Sequence, residues 1–432
     1  MTPETRMLRI LDVSPKVVLP PESGSRVRIF NLLLHLSERC DVRLFSQARR
    51  RSGSTQVSGV LTLSDTFAEI RYCNPLASFV SDLAELRLIQ SPALRGAGLR
   101  LTRPSSLDRL LEWADVVLVE FPWQLPYCRK RAPGKPIVLA SHNVEASKFA
   151  SYAEAIGGSG ETHRWARQIE RIEGRAVAGA DLILAVSSED RSEFIARYGA
   201  HPDDVAVIPN GADTSHYVPA NPQLRQRAKV KLGLPDRPTV IYVGGDSAPN
   251  WAGLEWVRRL SELTDRFTFL VVGEMSKGQT GGATFVAPGV VNDLAPYFAA
   301  SDIAICPIEF GGGTKIKLLE SLAAGLPTVA FEESTRGLDL VPGRHLLVVE
   351  KDEREIMIAL DRLVDDPQLA QSLAAAGRQH VASRFDWRQI AATLHVALRR
   401  LVGRSDADDA AQDVLSIAGP GSLGQLAQGP QG

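Results

Sequence analysis

Glycine, lysine and glutamate stand close together in one stretch, DIAICPIEFGGGTKIKLLESLAAGLPTVAF, residues 302–331. Gly311, Gly312 and Gly313 carry no side chains, so a ligand can approach their backbone amides closely. A helical pattern runs from Thr314 to Ala324, with Ile316, Leu319, Leu322 and Ala323 on one face. Amides at a helix N-terminus favour an anion, and Lys315 and Lys317 add full positive charge there. Glu320 lies two helical turns beyond Gly313, roughly 10 Å along the axis and on the same face. A carboxylate at that place accepts hydrogen bonds from vicinal ribose hydroxyls, while amides and ammonium groups receive phosphates. A nucleoside diphosphate fits both ends. A tight strand-to-helix turn with a solvated Lys/Glu face would use the same residues.

The elements that must hold this loop are legible on both sides of it. Residues 302–307 form a short apolar run that predicts a buried parallel strand, Gly325 and Pro327 end the helix, and residues 328–331 predict the next strand. The same alternation recurs along the chain. Strands are predicted at 7–13, 41–45, 69–73, 115–121, 136–141, 181–186 and 205–208, and again at 239–243, 267–272 and 345–349, with helical stretches between them. Ser25 is a suitable N-cap for a helix carrying Ile29, Leu32, Leu33 and Leu36. The first turn, SPKVVLPPESGSR, lacks GxGxxG, which counts against an ordinary NAD-binding fingerprint. The strand ending at Ser141 runs directly into His142-Asn143-Val144-Glu145, and polar residues at such strand ends are where open α/β sheets bind ligands.

The whole chain sets further bounds. Its 432 residues suffice for two to three ordinary domains. The net charge of −1 gives no bulk attraction to nucleic acid. Cys40, Cys73, Cys128 and Cys306 form no CxxC pair, so reduced, buried thiols in a cytoplasmic protein are expected rather than a zinc or redox site. No apolar run approaches the ~18 residues of a membrane span, and no signal-peptide pattern opens the chain. Arg43 and Arg49–Arg51 form a basic patch. A solvated loop is its plain reading, and peripheral contact with anionic lipid at the inner membrane face its functional one.

PIEFGGGTKIKLLESLAAGLPTVAF resembles the donor-site segment of the family 4 retaining glycosyltransferases, which have the GT-B fold of two Rossmann-like α/β domains facing across a cleft. Many members carry two glutamates separated by seven residues here. Glu320 matches the second, but Gly312 stands where the first would be, and Glu309 is nearby and out of register. The stretch is instead similar to the family's GGGT-basic-x-K-x-x-E variant. PPESGSRVR with Gly24, HNVE with His142, PNGAD with Asn210, the Gly244-Gly245 turn and APGVVNDL with Val291 are similar to further family segments. The Arg and Lys that many members place after the Gly244-Gly245 turn are missing before Arg258, which shifts phosphate neutralisation onto Lys315 and Lys317.

The resemblance implies an N-terminal acceptor-side domain over residues 1–218, a C-terminal nucleotide-sugar domain over 219–385 and a crossover helix over 386–402, while a composition rich in Ala, Gly, Gln and Asp predicts a disordered tail over 403–432. It implies His142 and Lys317 as catalytic residues. It implies Gly24, Asn210, Gly244, Gly245, Val291, Glu309, Gly311, Gly312, Gly313, Thr314, Lys315, Lys317 and Glu320 as donor-binding. The expected reaction moves a sugar, with retention, from a nucleotide-sugar to a hydroxyl acceptor, in polysaccharide or glycolipid assembly or on a small molecule, glycan and lipid-linked acceptors included. Neither a metal nor a cofactor is expected. A sugar-nucleotide-binding protein without transferase activity, and another GT-B enzyme such as an epimerase, remain open beside it.

Overall fold

The computed structural model describes residues 6–48, 58–85, 94, 96–155, 157 and 160–417. The arginines at 49–51 and the end of the tail lie outside the described residues. Among the described residues, fourteen strands divide between two sheets. The first sheet holds β1 (Leu8–Ser14), β2 (Cys40–Ala48), β3 (Gly59–Ser64), β4 (Phe67–Cys73), β5 (Val116–Glu120), β6 (Ile137–Ala140), β7 (Leu182–Ala185) and β8 (Val205–Val207). Its order is β3-β4-β2-β1-β5-β6-β7-β8. The second holds β9 (Thr239–Val243), β10 (Thr268–Val272), β11 (Phe285–Gly289), β12 (Ile303–Cys306), β13 (Thr328–Ala330) and β14 (Leu347–Val348), in the order β11-β10-β9-β12-β13-β14.

Every pairing is parallel except β3 with β4. Parallel strands covered by helices on both faces need apolar side chains on both, and VVLVE, IVLA, LILA and IAIC are buried at every residue. These were the strands that composition alone could locate. Two others were not foreseen. β3 is exposed along its whole length, so no core pattern marks it. β11 contains Pro288 and Gly289 and reads as a loop. One cap is corrected: the helix Gly24–Leu36 starts after Ser23 rather than Ser25, and the Ser25 hydroxyl accepts from Lys16 Nζ at 2.5 Å.

Ile29, Leu32, Leu33 and Leu36 pack beneath Ile10, Val42 and Leu44 of the first sheet. The last helix, Trp387–Ile417, adds Trp387, Ile390, Leu394 and Leu398 to that same core. Each such side chain contributes roughly 1.5–3 kcal/mol when buried, so the C-terminal helix is bound firmly to the first sheet. It continues to Ile417, past the end expected at residue 402, so residues 403–417 are helical rather than an unstructured tail. The second sheet carries its own core, with Leu254, Val257 and Leu260 on one helix and Leu318, Leu319 and Leu322 on another.

The carboxyl ends of the two sheets approach each other. A Cβ added at Gly24, in the first sheet's opening helix, would lie 3.8 Å from Ile316 Cδ1. One added at Gly245, after β9, would lie 3.9 Å from the Glu22 carbonyl. Asp190 and Arg336 form an ion pair across the same divide at 3.8 Å.

Candidate active site

The glycine loop follows β12 and leads into the helix Ile316–Ala323. Gly311 and Gly313 have φ values of +121° and +64°, a region that side chains strain. Space forbids a side chain as well. A Cβ at Gly313 would stand 2.7 Å from both the His142 carbonyl oxygen and Asn143 Oδ1, and one at Gly312 would stand 2.9 Å from Lys148 Cβ. The loop of one sheet is therefore seated directly on the HNVE segment of the other.

Thr314 is fixed from the opposite side. Its Oγ1 and carbonyl accept from Asn210 Nδ2 at 2.8 and 3.2 Å. Asn210 Oδ1 accepts in turn from Arg28 Nη1 at 3.2 Å, and Arg28 also donates to the Pro209 and Ile208 carbonyls. Arg28 is wholly enclosed, and burial pulls its guanidinium down to about 10 against the attraction of Glu120 and Asp190.

The two loop lysines have separate tasks. Lys315, expected to face an anion, is turned onto the loop itself. Its ammonium donates to the Gly313 carbonyl at 2.9 Å, approaches those of Gly311 and Gly312, and lies 3.8 Å from Glu333. It staples the glycine turn. Lys317 donates to Asn250 Oδ1 and sits 5.1 Å from the centre of the Tyr242 ring. Burial pushes it down to about 8. Asn250 Nδ2 donates to the Gly245 carbonyl at 2.9 Å, so this one amide joins Lys317 to the Gly244-Gly245 turn. Glu320, one turn beyond Lys317, is buried, and desolvation lifts it to about 7 against a hydrogen bond from the Tyr217 hydroxyl, at 3.4 Å, and the nearby Lys317. A buried cation and a buried carboxylate, each near its neutral point at physiological pH, form a site that a ligand charge can switch.

His142 is enclosed at the mouth of β6. Its ring stacks on Phe121 with centroids 4.3 Å apart, and Nε2 is hydrogen-bonded to the Glu120 carboxylate. Phe121 holds a φ of +67°, uncommon for a bulky residue. Burial depresses the His142 pKa more than Glu120 raises it, so the ring is neutral. Lys16 lies 5.0 Å from the centre of the Phe121 ring, and burial lowers it to about 8. The HNVE backbone is anchored by Glu173, which accepts from the Glu145 and Ala146 amides at 2.7 and 3.0 Å.

Gly311, Gly312, Gly313, Thr314, Asn210, His142 and Gly24 are thus brought together along the cleft. Lys317, Glu320, Gly244 and Gly245 line the same side of the second sheet. Val291 lies on the loop after β11, its side chain packed partly into an apolar cluster with Phe298. The Glu309 carboxylate accepts from the Trp256 indole N–H, on the wall of a pocket of about 670 Å³ shared with Glu333, Arg336 and Lys351.

Sequence reasoning passed over Asp12, Glu120, Asn250 and Tyr217. Two signals were present. Asp12 interrupts the apolar strand LRILDVS, and Glu120 ends the apolar run VVLVE; an acid in such a run must be partnered or protonated. Asn250 had only a helix start to mark it, and Tyr217 is brought to Glu320 solely by tertiary folding.

Residues 23–216 match the model of Glycosyltransferase Family 4, and residues 237–366 that of Glycosyl transferases group 1. A D-inositol 3-phosphate glycosyltransferase from Rhodococcus opacus is 30% identical over 280 residues, which are 60% of this chain and 60% of that protein. The match thus spans about 60% of that relative's length. Alpha-maltose-1-phosphate synthase from Mycolicibacterium smegmatis is 27% identical over 334 residues, 69% of this chain and 83% of that one. Among solved structures, a sucrose-phosphate synthase from Thermosynechococcus elongatus superposes with a TM-score of 0.73 at 17% identity, covering 92% of this chain and 100% of the other. Anabaena HepE in complex with UDP-glucose gives 0.67 at 15% identity, covering 91% and 100%.

Proposed function

The chain belongs to the family 4 glycosyltransferases with the GT-B fold, and on that premise we propose that it moves a sugar from a nucleotide-sugar to a hydroxyl acceptor. The observation that carries this reading is the contact between Gly313 and the His142–Asn143 backbone and side chain. It sets an anion-accepting loop of one sheet against a buried neutral imidazole of the other. A diphosphate on the loop would hold its sugar beside His142.

Breaking the glycosidic bond leaves negative charge on the departing diphosphate. Preorganised donors stabilise such charge most where water is excluded. Lys317 and the loop amides supply them here, with Lys315 keeping the turn in shape. Glu320, steadied by Tyr217, accepts from the ribose hydroxyls. The base lies toward the loop that carries Val291. Because Lys317 and oriented amides can neutralise the leaving group, no divalent cation is required. Transfer proceeds with retention, as in the family the donor segment resembles, and without a covalent carboxylate at Glu309, which Trp256 engages.

A UDP-sugar is the first donor to try, since HepE from Anabaena has been seen with UDP-glucose. The relatives named for D-inositol 3-phosphate and maltose 1-phosphate make phosphorylated sugars and polyols the first acceptors to screen, beside lipid-linked ones. The deciding experiment incubates the full chain with UDP-, GDP- and ADP-sugars and these acceptors, then assigns the product's anomeric configuration by NMR. An α-linked product from an α-linked donor supports the proposal. Tight donor binding with no product, or isomerisation of the donor sugar, would replace it with a binding protein or an epimerase.

A further inference from the structure

Asp12 has no part in the contacts described so far, yet it is wholly buried behind the His142 site. It lies on β1 opposite Leu118 of β5. Leu118 and Glu120 are two apart and share a face of the strand, so Asp12 and Glu120 are diagonal neighbours on that face. Glu120 bears on the Asp12 carboxyl both through its charge and as a hydrogen-bonding neighbour, and each raises the Asp12 pKa. Neither Asp12 oxygen has a donor partner among the described residues. Two ionised carboxylates cannot hydrogen-bond, because both only accept. Two such groups in contact and out of water cannot both carry charge. One proton between them resolves both difficulties.

The surroundings decide which acid holds it. Glu120 faces the His142 Nε2 and feels the positive charges of Arg28 from the helix Gly24–Leu36 and of Lys16 from the loop after β1. Asp12 shares its face with the neutral hydroxyls of Ser14 on β1 and, across β2, Ser46, and both its burial and the Glu120 charge push its pKa well up. We propose that Asp12 is a positioning residue: its protonated carboxyl donates to an ionised Glu120, which in turn receives the His142 Nε2–H. The consequence is a fixed tautomer. Nε2 carries the proton, and Nδ1, which has no hydrogen-bond partner among the described residues, is left as an acceptor. A neutral imidazole of that tautomer accepts from a sugar hydroxyl; it does not donate to one. This deepens the reading of His142 in the proposed transfer and rests on it for its effect on turnover, though not for its protonation states.

The test compares the wild-type full chain with Asp12→Asn and Asp12→Leu. Asparagine keeps a neutral N–H donor toward Glu120, whereas leucine keeps only bulk. Infrared difference spectra at neutral pH should show a protonated-carboxyl C=O band in the wild type that both variants lose. Nitrogen-15 histidine spectra should show His142 as the Nε2–H tautomer in the wild type and in Asp12→Asn, and as a mixture in Asp12→Leu. Turnover should fall about 10²-fold in Asp12→Leu, the scale of a misplaced catalytic group, and be largely rescued in Asp12→Asn. Absence of the carboxyl band, an Nδ1–H tautomer in the wild type, or equal damage from both substitutions would overturn the proposal. If the wild type transfers no sugar to any acceptor, the functional reading fails alone, and the infrared and nitrogen spectra still decide Asp12.

Discussion

Asn210 and Thr314 lie 104 residues apart and meet through two hydrogen bonds, from one amide to the threonine hydroxyl and carbonyl. The amide belongs to the segment that leaves the first sheet, and the threonine to the glycine loop of the second. The segment between the sheets is therefore also a brace that sets the loop's position against His142. Arg28 extends the brace into the first core by bonding Asn210 and two carbonyls beside it.

Replacing Asn210 by Ala should loosen this brace without emptying the phosphate site. The Thr314 hydroxyl and one Arg28 donor lose a buried partner, which costs about 1–3 kcal/mol each at most. The expected result is a lower Tm together with a raised KM for the donor. Thr314→Val, which removes only the hydroxyl's share, should give a smaller change of the same kind. Differential scanning calorimetry and donor kinetics on both variants check this, and an unchanged Tm in Asn210→Ala would remove the brace.

Nucleotide affinity should follow a bell-shaped pH profile with its maximum between about 7 and 8, the values that burial gives Glu320 and Lys317. The signs are opposite. Glu320 must be ionised to accept from ribose, and its raised pKa means that affinity is gained as pH rises through about 7. Lys317 must be charged to meet phosphate, and its lowered pKa means that affinity is lost as pH rises through about 8. Glu320→Gln should flatten the acid limb and weaken a nucleoside diphosphate by roughly 1.5–3 kcal/mol, the range for a charged hydrogen bond. Lys317→Met should flatten the alkaline limb. Titration calorimetry across pH 6–9 separates the two.

The parallel strands and the glycine loop were legible in the sequence because their causes are local. Continuous apolar runs such as IVLA and IAIC leave few alternatives to a buried strand, and three successive glycines mark close backbone approach. The capping serine of the first helix was misplaced by two residues because Ser23 and Ser25 are equivalent by composition. The contacts of Lys315 were not legible for a different reason. Its ammonium folds onto carbonyls two to four residues back, a geometry that depends on the positive φ values of Gly311 and Gly313. The acids behind His142 were not foreseen because Asp12 and Glu120 belong to strands 108 residues apart in sequence, joined only by sheet order. Helix Trp387–Ile417 ran on because DADDAAQD, although charged, contains no glycine or proline to stop it.

Transfer should continue in excess EDTA. In the proposed transfer, Lys317 and the loop amides would carry the charge that a divalent cation supplies in other phosphate-releasing sites. The measurement is turnover after dialysis against chelator, with and without added magnesium or manganese. Loss of activity that either metal restores would contradict the assignment of that charge to Lys317.

The role proposed for His142 separates catalysis from binding, because His142 follows a strand of the first sheet while Lys317 and Glu320 belong to the second. A substitution there should leave nucleoside diphosphate affinity nearly intact and lower turnover by about 10²-fold or more, the scale of a positioned polar group acting in the transition state. The Michaelis constant for the donor should move much less, since the interaction strengthens as the bond breaks. Alanine alone is an unsafe test. It would take the His142 donor away from the buried Glu120 carboxylate, and a buried acid that loses a donor destabilises the fold. Glutamine is the better companion, because its amide can still donate to Glu120. His142→Gln should keep the wild-type Tm and nucleotide affinity while turnover stays low; His142→Ala should lose turnover and Tm together. A well-folded His142→Gln with full turnover would show that the histidine only packs the end of β6 and would remove it from the reaction.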